Sequence, residues 1–358
     1  MTDKYPNYRD ALPQYIAQRY YLGLAGRSAP IFLVQGNHDG ERIDRYDGTP
    51  NCMPVWAAQT RRKYFPPIIP NGFYSGSTTE VKHAGKPENY YAFDWGDAQI
   101  IALDPFWTSP RNRKGSAEGN WSRTLGKVQY QWLAKTLATS KAKYKFVFAH
   151  HVMGTQRGGV EVARLYEWGG QSGNGQNLFA TERPTWPAPI HQLFVQNHVT
   201  AFFQGHDHIW VHQQLDGVTY QTVSEPADPN YSLFNADAYL TGEKFPNSGY
   251  TRVTVAPTGG VARYVKMGKL VLAYLNGFSA GTSNATTKTI TLPFPSANAV
   301  VMAGMGHAMN NGAFSTLPCR FDTRGGSTTC DVYLDLNATG WTASGGCVFD
   351  FALVYEAQ

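Results

Sequence analysis

The sequence has no run of about 18 consecutive apolar residues, so it encodes no helix of membrane-spanning length. Cysteine is scarce: there are 4 in 358 residues and no C-x-x-C pair, which argues against a thiolate zinc cluster or a redox dithiol. Low-complexity tracts, internal repeats and blocks of like charge are also missing. The net charge of +5 is dispersed over scattered Lys and Arg, a pattern that does not indicate nucleic-acid recognition and suits a small anionic substrate. The opening MTDKYPNYRD lacks the basic-then-apolar order of a secretory signal. What remains is a globular composition, 42% hydrophobic and 16% charged, in a chain long enough for one large core and a second smaller one.

Segment 10–25 (DALPQYIAQRYYLGLA) has the apolar spacing of a helix packed on a sheet, and IFLV at 31–34 reads as a short buried strand stopped by a glycine turn. PVWAAQTRRKYF opens with Pro54 at a first helical position. YYAFDW and AQIIALD are joined at Gly96-Asp97 as a hairpin. KVQYQWLAKTLA, with Val128, Trp132, Leu133 and Leu137, predicts an amphipathic helix, followed by the strand YKFVFA. A Gly-rich loop over 153–180 precedes a helix, IHQLFVQNH, and another strand, TAFFQGHDH. From about residue 218 strand patterns take over (TYQTV, YTRVTVA, VARYVKM, KLVLAYL). We therefore expect one domain over 1–267 and a β-rich accessory domain, a sandwich, over 268–358. Cys319 and Cys330 flank the turn-like DTRGGSTT, which suits either a cross-strand disulfide in an extracytoplasmic protein or two core thiols.

Three strand-like segments end in the same chemistry: GNHD at 36–39, AHH at 149–151 and GHDH at 205–208. Taken alone, GNHD is equally well a turn in which Asn37 and Asp39 bond their own backbone. Three such endings argue for convergence, because strands of one α/β sheet bring their carboxyl-end loops to one crevice. Imidazole and amide oxygen are ligands for zinc, manganese, iron and related ions, and His206 and His208, two apart, can address different ions. His151 follows His150 along an extended strand and is expected to point the other way, in a structural role or supporting a ligand from behind, and not as a ligand itself. His83, His191, His198, His212 and His307 have no strand-end context and read as structural.

The ordered set GNHD, FAHH and GHDH, supported by YYAFDWGDAQIIALD and LGKVQYQWLAKTL, resembles the calcineurin-like metallophosphoesterases, the family that includes purple acid phosphatases and cyclic-nucleotide phosphodiesterases. The resemblance covers about residues 10–267. It implies an α/β fold in which a β-sandwich is flanked by helices in α-β-β-α layers, with the β-rich C-terminal part outside it. It implies hydrolysis of a phosphate monoester or diester by a metal-bound hydroxide at two transition-metal ions, with Zn, Mn, Fe and Co undistinguished. Carried over residue by residue, Asn37, His150 and His206 hold one ion and His208 the other, while His38 is the general acid and Asp39 orients it. Arg157 and Arg164 of the Gly-rich loop are placed to meet a phosphate, unless that loop is only a solvated lid. Two family blocks, Asp-x-His and Gly-Asp-x-x-Asp, have no counterpart upstream of GNHD. The resemblance therefore predicts missing N-terminal strands, an exposed apolar face or sheet edge, and activity in doubt, with Asp97 and Asp104 the first carboxylates to examine as replacements. An upstream segment would favour an extracytoplasmic location. The alternative is a catalytically defective metal-binding or glycan-binding protein whose C-terminal part meets a glycan or surface partner.

Overall fold

The computed structural model describes residues 2–27, 29–65, 68–110, 117–152, 157–226, 232–246 and 249–255. In the C-terminal part it also describes the strand segments 261–267, 270–282, 288–291, 300–303, 308–310, 313–314, 320–323, 329–333 and 346–356. The chain divides into two compact units, Met1–Ser224 with Tyr231–Asn247, and Glu225–Asn230 with Ser248–Gln358.

The first unit is mixed α/β, a central sheet flanked by helices. Its strands are β1 (Ser75–Gly76), β2 (Tyr91–Trp95), β3 (Ala98–Ala102), β4 (Tyr144–Phe148), β5 (Ala201–Gln204), β6 (Trp210–Leu215), β7 (Val218–Thr222) and β8 (Glu243–Phe245). They form one sheet in the order β1-β2-β3-β4-β5-β7-β6-β8. The centre, β3-β4-β5-β7, is parallel, and both flanks are antiparallel. Parallel strands need both faces covered, and the side-chain period of two supplies both. Ala92, Ile101, Val147, Phe202 and Tyr220 lie side by side across the sheet and are all buried in one core. Ile100 with Tyr91, Phe93 and Ala102 contributes to a second cluster that takes in Phe32, Val34 and Tyr74.

The helices are α1 (Tyr8–Ala25), α2 (Met53–Tyr64), α3 (Ala117–Trp121), α4 (Gly126–Thr139), α5 (Val160–Ala163), α6 (Tyr166–Gly169), α7 (Phe179–Glu182) and α8 (Ile190–Gln196). The Asn7 side chain caps α1 by accepting from Asp10 N–H, and Pro54 sits in the first turn of α2, where a missing N–H costs nothing. On α4, Tyr130, Leu133 and Leu137 recur at helical spacing and face the main core, while Val128 is exposed. The Gly-rich stretch read as a loop contains α5, α6 and α7, each a single turn. Buried contacts hold them: Trp168 packs on Phe202, and its indole N–H donates to Tyr220 Oη at 2.9 Å.

Residues 31–34 are not a strand. Among the described residues Ile31 to Gln35 make no backbone–backbone hydrogen bond, although Tyr91 Oη donates to Leu33 O at 3.0 Å. An apolar run becomes a strand only where a neighbour completes its ladder. Here it borders a groove of about 750 Å³ whose walls include Leu22, Phe65, Ile68 and Tyr91.

The second unit is all β among its described residues, with a six-stranded and a four-stranded sheet. Strands Thr251–Val255 and Val261–Met267 pair in its six-stranded sheet with Leu270–Thr282, so this sheet begins ahead of residue 268. Cys330 is a buried free thiol, while Cys319 and His307 lie outside the described residues. Among the described residues no helix is long and apolar enough to cross a membrane.

Candidate active site

The parallel pairing of β4 and β5 sets Phe148 beside Phe203, and the chain leaves both strands at the same edge. His150 follows the first and His206 the second, and Gly205 N–H donates to His150 O at 3.1 Å. The third loop, Gly36 to Asp39, closes on itself: Asp39 Oδ2 accepts Gly36 N–H at 2.7 Å, and Asp39 N–H donates to Gly36 O at 3.2 Å. Glycine suits the close approach at position 36: a Cβ would come within 3.2 Å of the His150 ring, which would have to give by a few tenths of an ångström. The loop is anchored by Glu41, whose carboxylate takes a bidentate fork from Arg61 of α2 at 2.6 and 3.1 Å and the Trp107 indole N–H at 3.3 Å.

Three donor atoms meet as a result. His150 Nε2 lies 2.6 Å from Asn37 Oδ1 and 3.0 Å from His206 Nδ1. Burial, then the neighbouring His151, His206, His38 and His208, push His150 down to about 2; burial, then His151, Arg157, His208 and His38, push His206 down to about 3. Both imidazoles are therefore neutral at physiological pH, the form that donates a lone pair to a cation. Both contacts converge on the single Nε2 of His150, which offers either one N–H or one lone pair according to its tautomer. The chemistry and convergence of Asn37, His150 and His206 fit one transition-metal ion. Among the described residues no group of three or more His, Cys, Asp or Glu side chains could hold a metal ion, so the set is two imidazoles and an amide without a carboxylate.

His206 and His208 have φ of 61° and 55°, left-handed values that cost a non-glycine residue about 1 kcal/mol or more. Asp207 between them supplies the restraint. Its buried carboxylate accepts Tyr239 Oη–H at 2.5 Å, Gly158 N–H at 2.9 Å and Arg157 at 3.0 Å. Arg157 also donates to His206 O at 3.1 Å.

His38 is half exposed, and its ring meets a carboxylate other than the expected one. His38 Nδ1 lies 2.9 Å from Asp3 Oδ2, while Asp39 is occupied in its own turn. The reason is geometric: adjacent residues in a tight turn diverge, whereas Asp3 arrives from the remote N-terminal segment, where Asp3 N–H donates to His38 O at 3.2 Å. The side chain of His151 does not point away as strand alternation predicts. The strand ends at Phe148, so alternation no longer applies, and His151 lines the same pocket as Asn37 and His206 with its ring 5.0 Å from that of His206. Burial pushes His151 down to about 4. Asp104 is fully buried against Asn89, Gln129 and Phe106 N–H, and Asp97 sits exposed in the β2–β3 turn, so neither joins the three donors.

Sequence reasoning singled out Arg157 and missed two further arginines, Arg42 and Arg123. A pocket of about 290 Å³ beside the donors is lined by Asn37, His151 and His206 together with Arg42, Arg123 and Arg157. Arg42 and Arg123 carry no local motif, and only their meeting in space marks them.

No curated protein matches the chain. Among solved structures, PhoD is similar with a TM-score of 0.36 and 13% identity, covering 81% of this chain and 50% of that one. Purple acid phosphatase PPD1 from yellow lupin (Lupinus luteus) seeds has a TM-score of 0.31 and 15% identity, covering 69% of this chain and 38% of that one. A reovirus attachment protein, sigma1, in complex with alpha-2,3-sialyllactose, has a TM-score of 0.22 and 9% identity, covering 41% of this chain and 95% of that one. The chain thus spans half or less of the first two. The family model for calcineurin-like phosphoesterases matches residues 3–210, a stretch that takes in all three histidine-bearing loops and more than half of the chain, and this protein belongs to that family.

Proposed function

We propose that this chain hydrolyses phosphate esters at the centre formed by Asn37, His150 and His206, with His208 beside it. Phosphoester hydrolysis is the family's chemistry, and the family generally uses divalent metal ions. The observation that supports this site is the meeting of an amide oxygen and two neutral imidazole nitrogens within 2.6 and 3.0 Å at the carboxyl ends of parallel strands. Asn37, His150 and His206 are the residues that would hold the ion. When bound, it supplies Lewis acidity and a lowered pKa for its water.

The chain's own residues provide the rest. Asp3 accepts the Nδ1 proton of His38, which fixes the tautomer and leaves Nε2 as the proton-transferring atom. As a water oxygen that has given up one proton to solvent bonds to phosphorus and the bond to the leaving oxygen breaks, His38 in its imidazolium form gives that oxygen the Nε2 proton and returns to neutral, so the product leaves as an alcohol. General acid catalysis of this kind is worth about 10²–10⁴-fold. Arg157 Nη1, donating both to Asp207 Oδ1 and to the His206 carbonyl, keeps the His206 loop in register.

The test replaces His38 with Ala. Bound metal should stay near the parent level, and hydrolysis should slow more for esters with poor leaving groups than for those with good ones. Loss of metal, or equal slowing of both ester types, rejects the role. The lack of a carboxylate among the donors favours a second reading, a protein that holds an ion without turnover. An ion bound stoichiometrically with no hydrolysis of any chromogenic phosphate ester selects it.

A further inference from the structure

The pocket beside the three donors holds more positive charge than its described neighbours neutralise. Arg42 is paired with Asp44 through Nε at 3.0 Å and Nη2 at 2.6 Å, and Arg157 is paired with Asp207 at 3.0 Å. Arg123, on the same pocket wall, has no hydrogen bond or ion pair among the described residues. It is partly buried, and burial together with the adjacent Arg42 lowers its hold on its proton. An unpaired guanidinium in a partly dry site, next to a second one, is unfavourable by itself. Among the described lining residues Asp44 is the one acidic group, and it is already engaged by Arg42. Three guanidiniums are thus assembled around about 290 Å³, one of them without a counter-charge among the described residues.

We infer that Arg42, Arg123 and Arg157 form an oxyanion subsite that selects phosphate monoesters over diesters, with Arg123 as the specificity-determining contact. This rests on the hydrolytic reading only for its place in catalysis; the anion site stands on the pocket alone. A monoester presents three non-bridging oxygens and up to two negative charges, whereas a diester presents two oxygens and one charge. Arginine's planar fork matches such oxygens bidentately, and several guanidiniums reward the additional charge and the additional oxygen. A diester would also need room for a second substituent among the guanidiniums and the Pro105, Phe106 and Pro110 walls.

The experiment uses the full chain, freed of metal on a chelating resin, and calorimetric titration at pH 8. Inorganic phosphate should bind one per chain, and dimethyl phosphate, its monoanionic diester counterpart, at least about tenfold more weakly. Arg123→Gln should weaken phosphate about 10- to 100-fold, the worth of a charge-assisted hydrogen bond. Arg123→Lys, which keeps the charge and loses the fork, should fall between. Circular dichroism confirms that each variant is folded, and the comparison of the two anions on the parent chain needs no variant. Dimethyl phosphate binding as tightly as phosphate, no phosphate binding by the parent, or an unchanged affinity in folded Arg123→Gln would overturn the inference. Phosphate binding through Arg123 without any turnover after metal addition would instead sink the hydrolase reading and leave the anion site standing. Brisk turnover by a chain that binds no phosphate without metal would do the reverse.

Discussion

Asp104→Asn should stabilise the protein at neutral and mildly alkaline pH and remove a component of its pH dependence. Asp104 follows β3 and is fully buried; Oδ1 accepts Phe106 N–H at 2.6 Å and Oδ2 accepts the Asn89 amide at 2.7 Å. Burial, with Glu41 adding to it, outweighs these donors and pushes the carboxyl from 3.8 up to about 7. At about 1.36 kcal/mol per pH unit, that difference sets a ceiling of about 4 kcal/mol. The sign follows from proton counting. Below about pH 4 both folded and unfolded chains hold the proton, so the group is neutral to stability. Between about pH 4 and 7 the unfolded chain releases it and the folded chain keeps it, so stability falls as pH rises, and above about 7 the penalty is complete. Asparagine carries no charge to desolvate. Its amide N–H can be received by Asn89 Oδ1, a buried atom now without a partner, once the Asn89 amide turns over. Lost charge-assisted hydrogen bonds reduce the gain to about 1–3 kcal/mol at pH 8, with little change at pH 4. Urea unfolding of both proteins at pH 4, 6 and 8 measures this. A variant no more stable than the parent at pH 8, or a gain equal at all three pH values, refutes the reasoning.

Arg61→Met leaves the Glu41 carboxylate buried with the Trp107 N–H as its remaining side-chain partner and should cost about 3–5 kcal/mol, seen as a lower urea midpoint; an unchanged midpoint contradicts it. Asn37→Asp places a negative ligand beside His150 Nε2 and should tighten metal binding about tenfold or more in competition with a chelator, whereas equal or weaker binding would show that Asn37 is no ligand. Tyr239→Phe removes the hydroxyl that donates to Asp207 and should lower stability by about 1–3 kcal/mol while weakening metal binding, because His206 and His208 flank Asp207; full retention of both would detach this network from the site.

Much of the scaffold was legible because its signals are local. The β2–β3 turn at Gly96-Asp97, the Tyr130, Leu133 and Leu137 face of α4, and the apolar runs ending at His150 and before His206 each depend on residues a few positions apart, where period and turn chemistry operate. The family resemblance rested on those same short motifs in order. Ile31 to Val34 shows where local signals stop: the residues have strand character, but a strand is a relation between two segments, and no neighbour among the described residues completes its ladder. The α5 to α7 turns were hidden in a Gly-rich stretch because packing, as of Trp168 on Phe202, holds them more than propensity does. The chemistry of the site divides in the same way. That Asn37, His150 and His206 are ligand-type residues at strand ends could be read from their positions; that their donor atoms meet within 2.6 and 3.0 Å is tertiary. Asp3 rather than Asp39 holds His38, across 35 residues, because a tight turn separates the side chains of neighbours while chain folding joins distant ones. Arg42, Arg123 and Arg157 have no periodicity linking them, and only the shared wall of one pocket makes them a unit. Sequence determines what each residue can do over a few bonds, and the three-dimensional closure of long loops decides which of those capacities are brought within reach of one another.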